Sequence, residues 1–569
     1  MKKMIAFLFV ALMAASVFAG GRSQGGAPAS AAAAESGKKY TSVPFVTDGR
    51  TTFTMFIPLG SNQMITSYDY KDNSYTREVV DATGVKLEFI AVSSAEQSQR
   101  RNLLLASGDY PDIINDRSLP YNDMCYWASE GIFVPLDAYN PLSYPNIALA
   151  FEEYPALNQK LRSSDGKLYS LPRVDDAVWE MYIRGRGWYY MPWVRDNNRK
   201  VPATLDEFTA YLRWIRDNDV NGNGDQNDEV PLVFRDIRLA TAFFAKSFMP
   251  FVYDTSNFGL ALYDGKVTEQ YRLNEYRDAL KYMAGLYREK LIKEDAFTLT
   301  SDQLKSLVKN PAPVAGVMLS SYSHDVVGTT DPRWPEMFVL YPMNGPGGRH
   351  WATNRDPWGI LQPSWFITDK CKDPELAVAL FDYMLNLEML LNGKHNKGVS
   401  WTEPDPGALG LDGKPALYKR LLAETSMAAN SLWYVQNPML MNKRNRYGEQ
   451  AQDIDTINKW LATGDKSLHE AAFKNPSFLL GALIPWSSGD TANAIPDRYF
   501  IPPTALDDAD NKRMADINAV LNPFKEQAIA EFVTGVRDIN SDAAWNAYLA
   551  ELDRMGSRDL VAIYQKYMK

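Results

Sequence analysis

The sequence predicts an α/β fold of more than one domain, opening on a doubly wound layer and ending in helices. Three observations carry this. Between residues 52 and 114, apolar runs alternate as strand, helix, strand, helix, strand, the pattern of a sheet with helices packed on it. The chain has 569 residues, too many for one core and enough for two or more domains. Near the end, Trp545, Tyr548, Leu549 and Leu552 follow Ser541 at helical spacing.

The N-terminus reads as a targeting signal. Lys2 and Lys3 precede an apolar stretch from Met4 to Ala15, well short of the ~20 residues that span a bilayer. Val17 and Ala19 put small residues at the −3 and −1 positions, which predicts cleavage after Ala19. Gly20 follows, so that site has no lipobox cysteine to carry a lipid. Residues 1–19 are therefore expected to be a signal peptide. Residues 20–39, rich in Gly, Ala and Ser, are expected to be a flexible linker. No later segment reads as a membrane helix, and the mature protein is expected in the periplasm or outside the cell.

Thr52 to Leu59 reads as the first strand. Tyr75 to Thr83 reads as a helix stopped by Gly84, and Val85 to Ile90 alternates as a second strand. A helix from Glu96 to Ala106 ends at Gly108, and Tyr110 to Ile114 starts a third strand. Gly166 to Pro172 is a turn and short strand that looks like a crossover. Thr204 with Glu207 forms a capping box, and Phe208, Tyr211, Leu212 and Ile215 give the following helix one apolar face. Tyr276, Leu280, Met283 and Leu286 mark another helix, and Val314 to Leu319 a buried strand. Gly345 to Gly348 is a loop. Asp373-Pro374 starts a helix with Leu376, Leu380, Tyr383 and Leu387 on one face. Residues 392–420 are loop-rich.

The most distinctive stretch is Asp217 to Pro231. Side-chain oxygens alternate at Asp219, Asn221, Asn223, Asp225 and Asn227, and glycines fall at 222 and 224, where a tight coil needs positive φ. Ca²⁺ takes ~6–8 oxygen ligands, and alternating donors with a turn glycine at the sixth position suit it. Counting from Asp219, Gly224 is sixth, as in an EF-hand loop, but position twelve is Val230 rather than a glutamate. Asp228 and Glu229 stand earlier and are candidates to close the shell. The same residues also favour a solvated Asx/Gly turn.

Composition narrows the function. Net charge is −9, which argues against a nucleic-acid backbone as partner. With 14 Trp and 31 Tyr, the chain has aromatics to spare for a binding surface. Cys125 and Cys371 are the only cysteines; no CxxC is present, and the two are expected to stay free thiols. The histidines (His324, His350, His395, His469) form no HExxH, and there is no GxSxG, GxxxxGKS or GxGxxG. The acidic pairs Glu152-Glu153 and Asp175-Asp176 are ordinary in a chain with 69 acids. A glycosidase needs only two carboxylates brought together by folding, and nothing here points to such a pair.

Several runs resemble the extracellular solute-binding proteins of ABC importers, in particular the large LplA-like, alginate-binding-protein-like group. They are Val201 to Phe208 with the helix after it, the Asp219 loop with Asp228-Glu229-Val-Pro-Leu, Leu105 to Ile113 (Leu-Ala-Ser-Gly-Asp-Tyr-Pro-Asp-Ile), Gly166 to Pro172, Lys370 to Glu375, and Gly398 to Trp401. The resemblance runs over most of residues 40–569 in the family's order. It implies a two-lobe periplasmic-binding-protein-like α/β fold with a ligand cleft between the lobes and helical C-terminal additions. On that basis 40–172 starts the N-terminal lobe and 173–310 the C-terminal lobe, with the calcium loop at 217–231. Residues 311–350 return to the N-terminal lobe, and 351–569 complete the C-terminal lobe and its helical extension. The implied function is capture of an oligosaccharide by lobe closure and delivery to an ABC permease, by a monomer, without catalysis. A structural Ca²⁺ on the loop is also implied; the loop departs from the family by one extra residue before Asp228-Glu229.

Candidate sugar-binding residues lie near the expected crossovers: Trp188, Tyr189, Trp193 and Arg195, then Trp358 and Trp365, and Trp401 in the loop-rich region. Each aromatic is equally suited to a core. Arg184, Arg186, Arg195 and Arg199 read either as a solvated basic face or as a fork for a uronate carboxylate. The rival reading is a secreted carbohydrate-active enzyme, a lyase or glycosidase.

Overall fold

The computed structural model describes residues 39–568 apart from 60–68, 94–95, 177–185, 235, 254–258, 309–314, 321–323, 328–330, 332, 334–335, 353–360, 395–396, 422–435, 464–466, 469–492 and 505. The expected signal peptide and linker (to residue 38) and Trp358 lie outside these residues.

The first lobe is built on a six-stranded sheet. Its opening strands are β1 (Thr52–Leu59), β2 (Lys86–Ser93) and β3 (Ile113–Asn115), mutually parallel, with α1 (Ser74–Thr83) and α2 (Gln97–Ser107) between them. Asn73 caps α1 by accepting the Thr76 N–H at 2.9 Å, and Gly84 ends it at φ 77°. A Cβ at Gly84 would also stand 1.9 Å from the Val46 carbonyl oxygen, so both conformation and space require glycine there. After α3 (Tyr121–Ser129) comes β4 (Leu171–Asp175). The sheet is completed by β11 (Leu361–Ile367), antiparallel to β3 and β4, and by β14 (Leu440–Met441), parallel to β4; the order is β14-β4-β11-β3-β1-β2.

Side chains alternate across this sheet as the pleat dictates. Phe53, Met55, Ile113, Trp365 and Ile367 enter one core with α7 (Pro374–Met384). Phe56, Ile114 and Phe366 enter the other, against Leu105 of α2 and Met124 of α3. Asp373 caps α7, accepting the Leu376 N–H at 3.1 Å and the Tyr40 hydroxyl at 2.5 Å. The apolar face expected to continue to Leu387 instead ends with α7. Leu387 opens a separate helix, whose Met389 N–H is accepted by Asn386 Oδ1 at 2.8 Å.

The second lobe is built on β5 (Arg186–Tyr190), β6 (Val230–Phe234), β9 (Ala315–Ser320) and β10 (Met337–Leu340), in the order β10-β5-β9-β6. β6 and β9 are parallel, and β5 is antiparallel to both of its neighbours, β9 and β10. A hairpin of β7 (Leu260–Tyr263) and β8 (Lys266–Glu269) turns through Asp264 and Gly265, both at positive φ as a type I′ turn needs. The apolar face of α4 (Leu205–Arg216) packs with α5 (Ile237–Ala245), α6 (Asn274–Arg288) and the C-terminal α8 (Asp508–Thr534), α9 (Asp542–Arg554) and α10 (Ser557–Tyr567). The α4 capping box is present in both directions, at 3.2 Å each. The strands β12 (Trp401–Thr402) and β13 (Lys419–Arg420) form a separate small pair.

The lobe boundaries differ from those expected. Residues 311–350 do not return to the first lobe: β9 and β10 are strands of the second sheet. Residues 351–569 are not all second lobe: β11, α7 and β14 belong to the first. The boundary placed at residue 172 falls inside β4. The chain instead crosses after β4, after β10 and after β14, since Ile457 already lies in the second core. Apolar pattern alone fixes a strand but not which sheet receives it.

Candidate ligand cleft and metal loop

The crossings join like edges. β4 leaves the first sheet at the carboxyl end of its parallel strands. β5, being antiparallel, enters the second sheet at the carboxyl edge of β6, β9 and β10. The return from β10 to β11 does the same in reverse. The carboxyl edges of both sheets therefore share the crossings, and α/β sheets bind ligands outside such edges.

Along the first edge lie Asp116, Asp175, Asp176 and Asn442, all engaged. Asp116 is buried and pairs with the buried Arg101 at 2.5 Å while accepting the Ser118 N–H at 2.8 Å. Asp175 pairs with Arg446 at 2.8 Å, and Asp176 accepts the Tyr154 hydroxyl at 2.8 Å. Glu153 accepts from Asn442 at 2.7 Å. Glu153, Asp175 and Asp176 of the acidic pairs are thus held by structural partners. A contact unread in the sequence joins the lobes: Asn122 of α3 accepts the Leu506 N–H and donates to Asn511 Oδ1 on α8, both at 3.2 Å.

Of the aromatics picked from the sequence, the five described here are buried. Trp365 is fully buried on β11, edge-on to Phe381 at 5.1 Å. Trp188, Tyr189 and Trp193 are buried in the second lobe's cores, and the Trp188 indole donates to the Ser320 carbonyl at 3.1 Å. Trp401 is buried with Leu391 and Tyr418, its indole donating to Asn392 at 2.9 Å. Trp188, Tyr189, Trp365 and Trp401 are carried by strands and Trp193 by the short helix Met191–Asp196, and all five side chains are buried. Arg195 is partly exposed but holds Asp196 at 2.7 Å, and Arg199 lies over the Trp214 ring at 4.1 Å. Arg195 and Arg199 are thus engaged within their own lobe; Arg184 and the Arg186 side chain lie outside the described parts.

Cys125 and Cys371 are both free, but not because they sit in different lobes. Both belong to the first lobe, on opposite faces of its sheet: Cys371 in the α7 core and Cys125 against the α2–α3 core. Burial pushes the Cys371 thiol up to about 12.

The Asp219 loop follows α4 and leads into β6. Gly222 and Gly224 have φ of 71° and 89°, as the coil requires. Asp219 accepts the N–H groups of Asn223 and Gly224 at 3.1 and 2.8 Å. The amides of Asn221 and Asn223 both reach Asp228, at 3.0 and 2.6 Å. Glu229 Oε1 accepts the Val220 and Asn221 N–H groups at 2.7 and 3.2 Å, while its Oε2 is buried without a partner. Burial raises the Glu229 carboxyl, against the pull of those two N–H groups. Five of the seven expected metal residues are thereby knit together. Asp225 and Asn227 instead turn on each other at the exposed end, the Asn227 N–H meeting Asp225 Oδ1 at 3.0 Å. Among the described residues no three His, Cys, Asp or Glu side chains converge as a metal site by themselves; the loop's donors mix carboxylates and amides.

A family profile of bacterial extracellular solute-binding proteins matches residues 69–389, more than half of the chain, and the protein belongs to that family. It is 24% identical over 500 residues to the fructooligosaccharide ABC transporter substrate-binding protein FusA of Streptococcus pneumoniae, covering 85% of this chain and 84% of FusA. The structure of FusA in complex with kestose matches with a TM-score of 0.67 at 20% identity, over 91% of this chain and 99% of that one. An EF-hand mutant of FusA with fructo-nystose gives 0.66 at the same identity and coverage. The alginate-binding protein AlgQ2, solved without calcium ion, gives 0.59 at 18% identity over 93% of this chain and 100% of that one. The fold is that of a two-lobe solute-binding protein. Among the described residues no helix is long and apolar enough to cross a membrane.

Proposed function

We propose that this protein captures an oligosaccharide between its lobes and presents it to the permease of an ABC importer. The observation that carries the reading is the set of crossings joining carboxyl edge to carboxyl edge, in a member of the solute-binding family. Such crossings can act as a hinge, and hinge closure both buries a ligand and creates a new outer surface for a permease. The names of the relatives, a fructooligosaccharide binder and an alginate binder, favour a carbohydrate over other solutes. The protein acts as a monomer without turnover, exported by its N-terminal signal and free in the periplasm after cleavage at Ala19. We further propose a structural Ca²⁺ on the Asp219 loop. An all-oxygen donor set of Asp219, Asn221, Asn223, Asp228 and Glu229, with one buried carboxylate oxygen lacking a partner, suits a hard cation. The ion would brace the turn between α4 and β6.

A thermal-shift panel tests the reading: kestose, nystose, and oligosaccharides of alginate and polygalacturonate. A true ligand at ~100 times its Kd adds roughly 2.7 kcal/mol of stability, and chromatography should recover it unchanged. Products released from it would favour the enzyme instead.

A further inference from the structure

α5 begins directly after the carboxyl end of β6, so its first turn faces the edge where the lobes connect. Asp236 caps it, accepting the Arg238 and Leu239 N–H groups at 2.9 and 3.2 Å. The Arg238 guanidinium lies 3.3 Å from Glu526 of α8 and 3.6 Å from Asp236. Between α5, residues Phe251 to Tyr253 with Gly259, and α8 is an open pocket of about 560 Å³ counting its mouth.

Its lining is two-sided. Tyr253, Tyr271 and Phe251 give aromatic wall; Arg238, Asn522 and Glu526 give planar polar groups. The floor is Lys525, only 4% exposed, paired with the buried Glu269 at 2.6 Å and 4.7 Å above the Tyr271 ring. Glu269 also accepts the Ser557 hydroxyl, which ties α8 to β8 and α10. Gly259 has φ 84°, and a Cβ there would meet the Tyr271 ring at 2.0 Å, so glycine lets this wall close up. The Asn522 side chain has no hydrogen-bond partner among the described residues. One turn back on the same face, Asn518 is 7% exposed with both amide atoms unpaired.

The charges decide what fits. Arg238 faces two carboxylates and Lys525 one, so the described lining residues offer no spare cation. A uronate would meet Glu526 as well as Arg238, while an uncharged ring would not be repelled. A sugar's C–H face suits the aromatic wall, and its hydroxyl edge suits an amide, a carboxylate and a guanidinium, each able to hold adjacent hydroxyls. We infer that this pocket is a subsite for one uncharged sugar residue of the bound oligosaccharide, with Asn522, Glu526 and Arg238 reading its hydroxyls. The inference rests on the oligosaccharide-binding reading above.

Calorimetric titration of the full mature protein tests it, with kestose, nystose, lacto-N-tetraose, and trimers of galacturonate and alginate as probes. The variants are Asn522→Ala and Glu526→Gln. Gln527→Ala serves as the control, because Gln527 is exposed on the opposite side and bonds only Glu531. The wild type should bind an uncharged probe. Each pocket variant should raise that Kd by about threefold to tenfold, the worth of one hydrogen bond, with the ligand-free melting temperature unmoved and the control at the wild-type Kd. An unchanged Kd in both pocket variants overturns the subsite and leaves the oligosaccharide reading standing. Preference for a uronate trimer overturns the neutrality argument. A wild type that binds none of the probes overturns the oligosaccharide reading and the subsite with it.

Discussion

Glu229→Gln separates the charge of the Asp219 loop from its shape. Glu229 Oε1 accepts two backbone N–H groups, a role the glutamine oxygen keeps, while Oε2 is buried without a partner. Leaving a buried polar atom unpaired costs about 1–3 kcal/mol. Burial also raises this carboxyl above its ordinary range. The sign follows: between the unfolded and folded pKa the fold binds the extra proton, so stability falls as pH rises through that window and the penalty is complete at neutral pH. Calcium reverses the sign, since the ion needs the ionised carboxylate. With a Kd of about 10 μM, 1 mM calcium adds about 2.7 kcal/mol. At about 2–4 °C per kcal/mol for a unit the size of one lobe, the wild type should gain about 5–10 °C over its value in EDTA. The gain should shrink as pH is lowered toward the carboxylate range. The variant should melt no lower than wild type in EDTA and gain little from calcium. Differential scanning calorimetry in EDTA and in calcium reads both. Equal calcium shifts in the two proteins would place the ion elsewhere, and no shift in the wild type would mean that the loop holds no exchangeable calcium. A variant markedly less stable in EDTA would sink the charge argument.

Trp365→Ala should cost about 3–5 kcal/mol by opening a cavity at a fully buried site. Trp365→Phe should cost much less, since it keeps the ring contact with Phe381 and removes an indole N–H that is buried without a partner. Neither should change ligand Kd when measured below its melting transition; a Trp365→Phe protein of normal stability that has lost affinity would show that the indole reaches the ligand. Cys125 and Cys371 should both titrate as free thiols in denatured, unreduced protein, with Cys371 unreactive in the native state; a native mass two protons light, with no titratable thiols, would contradict this placement.

The local elements were legible because their signals are local. The Thr204 capping box, the Gly84 and Gly108 stops and the Phe208–Ile215 face need only neighbours within two turns, and each is present. The tight coil of the Asp219 loop was legible for the same reason, although the alternation that names Asp225 and Asn227 does not say which way they turn; the Asn227 N–H turns back on Asp225. The Asp264-Gly265 hairpin carried a strong turn signal that went unread. Sheet membership was not legible. β9, β10 and β11 are apolar runs bounded by loops, and nothing in their residues records that the first two stay in the second lobe while the third returns.

The binding surface is the least legible part, and the reason is statistical as much as structural. A chain with 14 Trp and 31 Tyr must bury most of them, because each ring removes a large apolar area from water and a core of this size has room for it. Choosing aromatics by nearness to a crossover therefore named Trp188, Tyr189, Trp193, Trp365 and Trp401, all of which are buried. The pocket on α5 and α8 shows the opposite logic. Its residues come from positions 238, 253, 271 and 522–526, far apart in sequence, and what sets them apart is a property no window of sequence displays: polar planar groups beside aromatic rings, with the described cations Arg238 and Lys525 already matched by carboxylates. Charge pairing across 288 positions, as between Arg238 and Glu526, is a fact about the fold. Until the fold is known, Arg238 is one arginine among many.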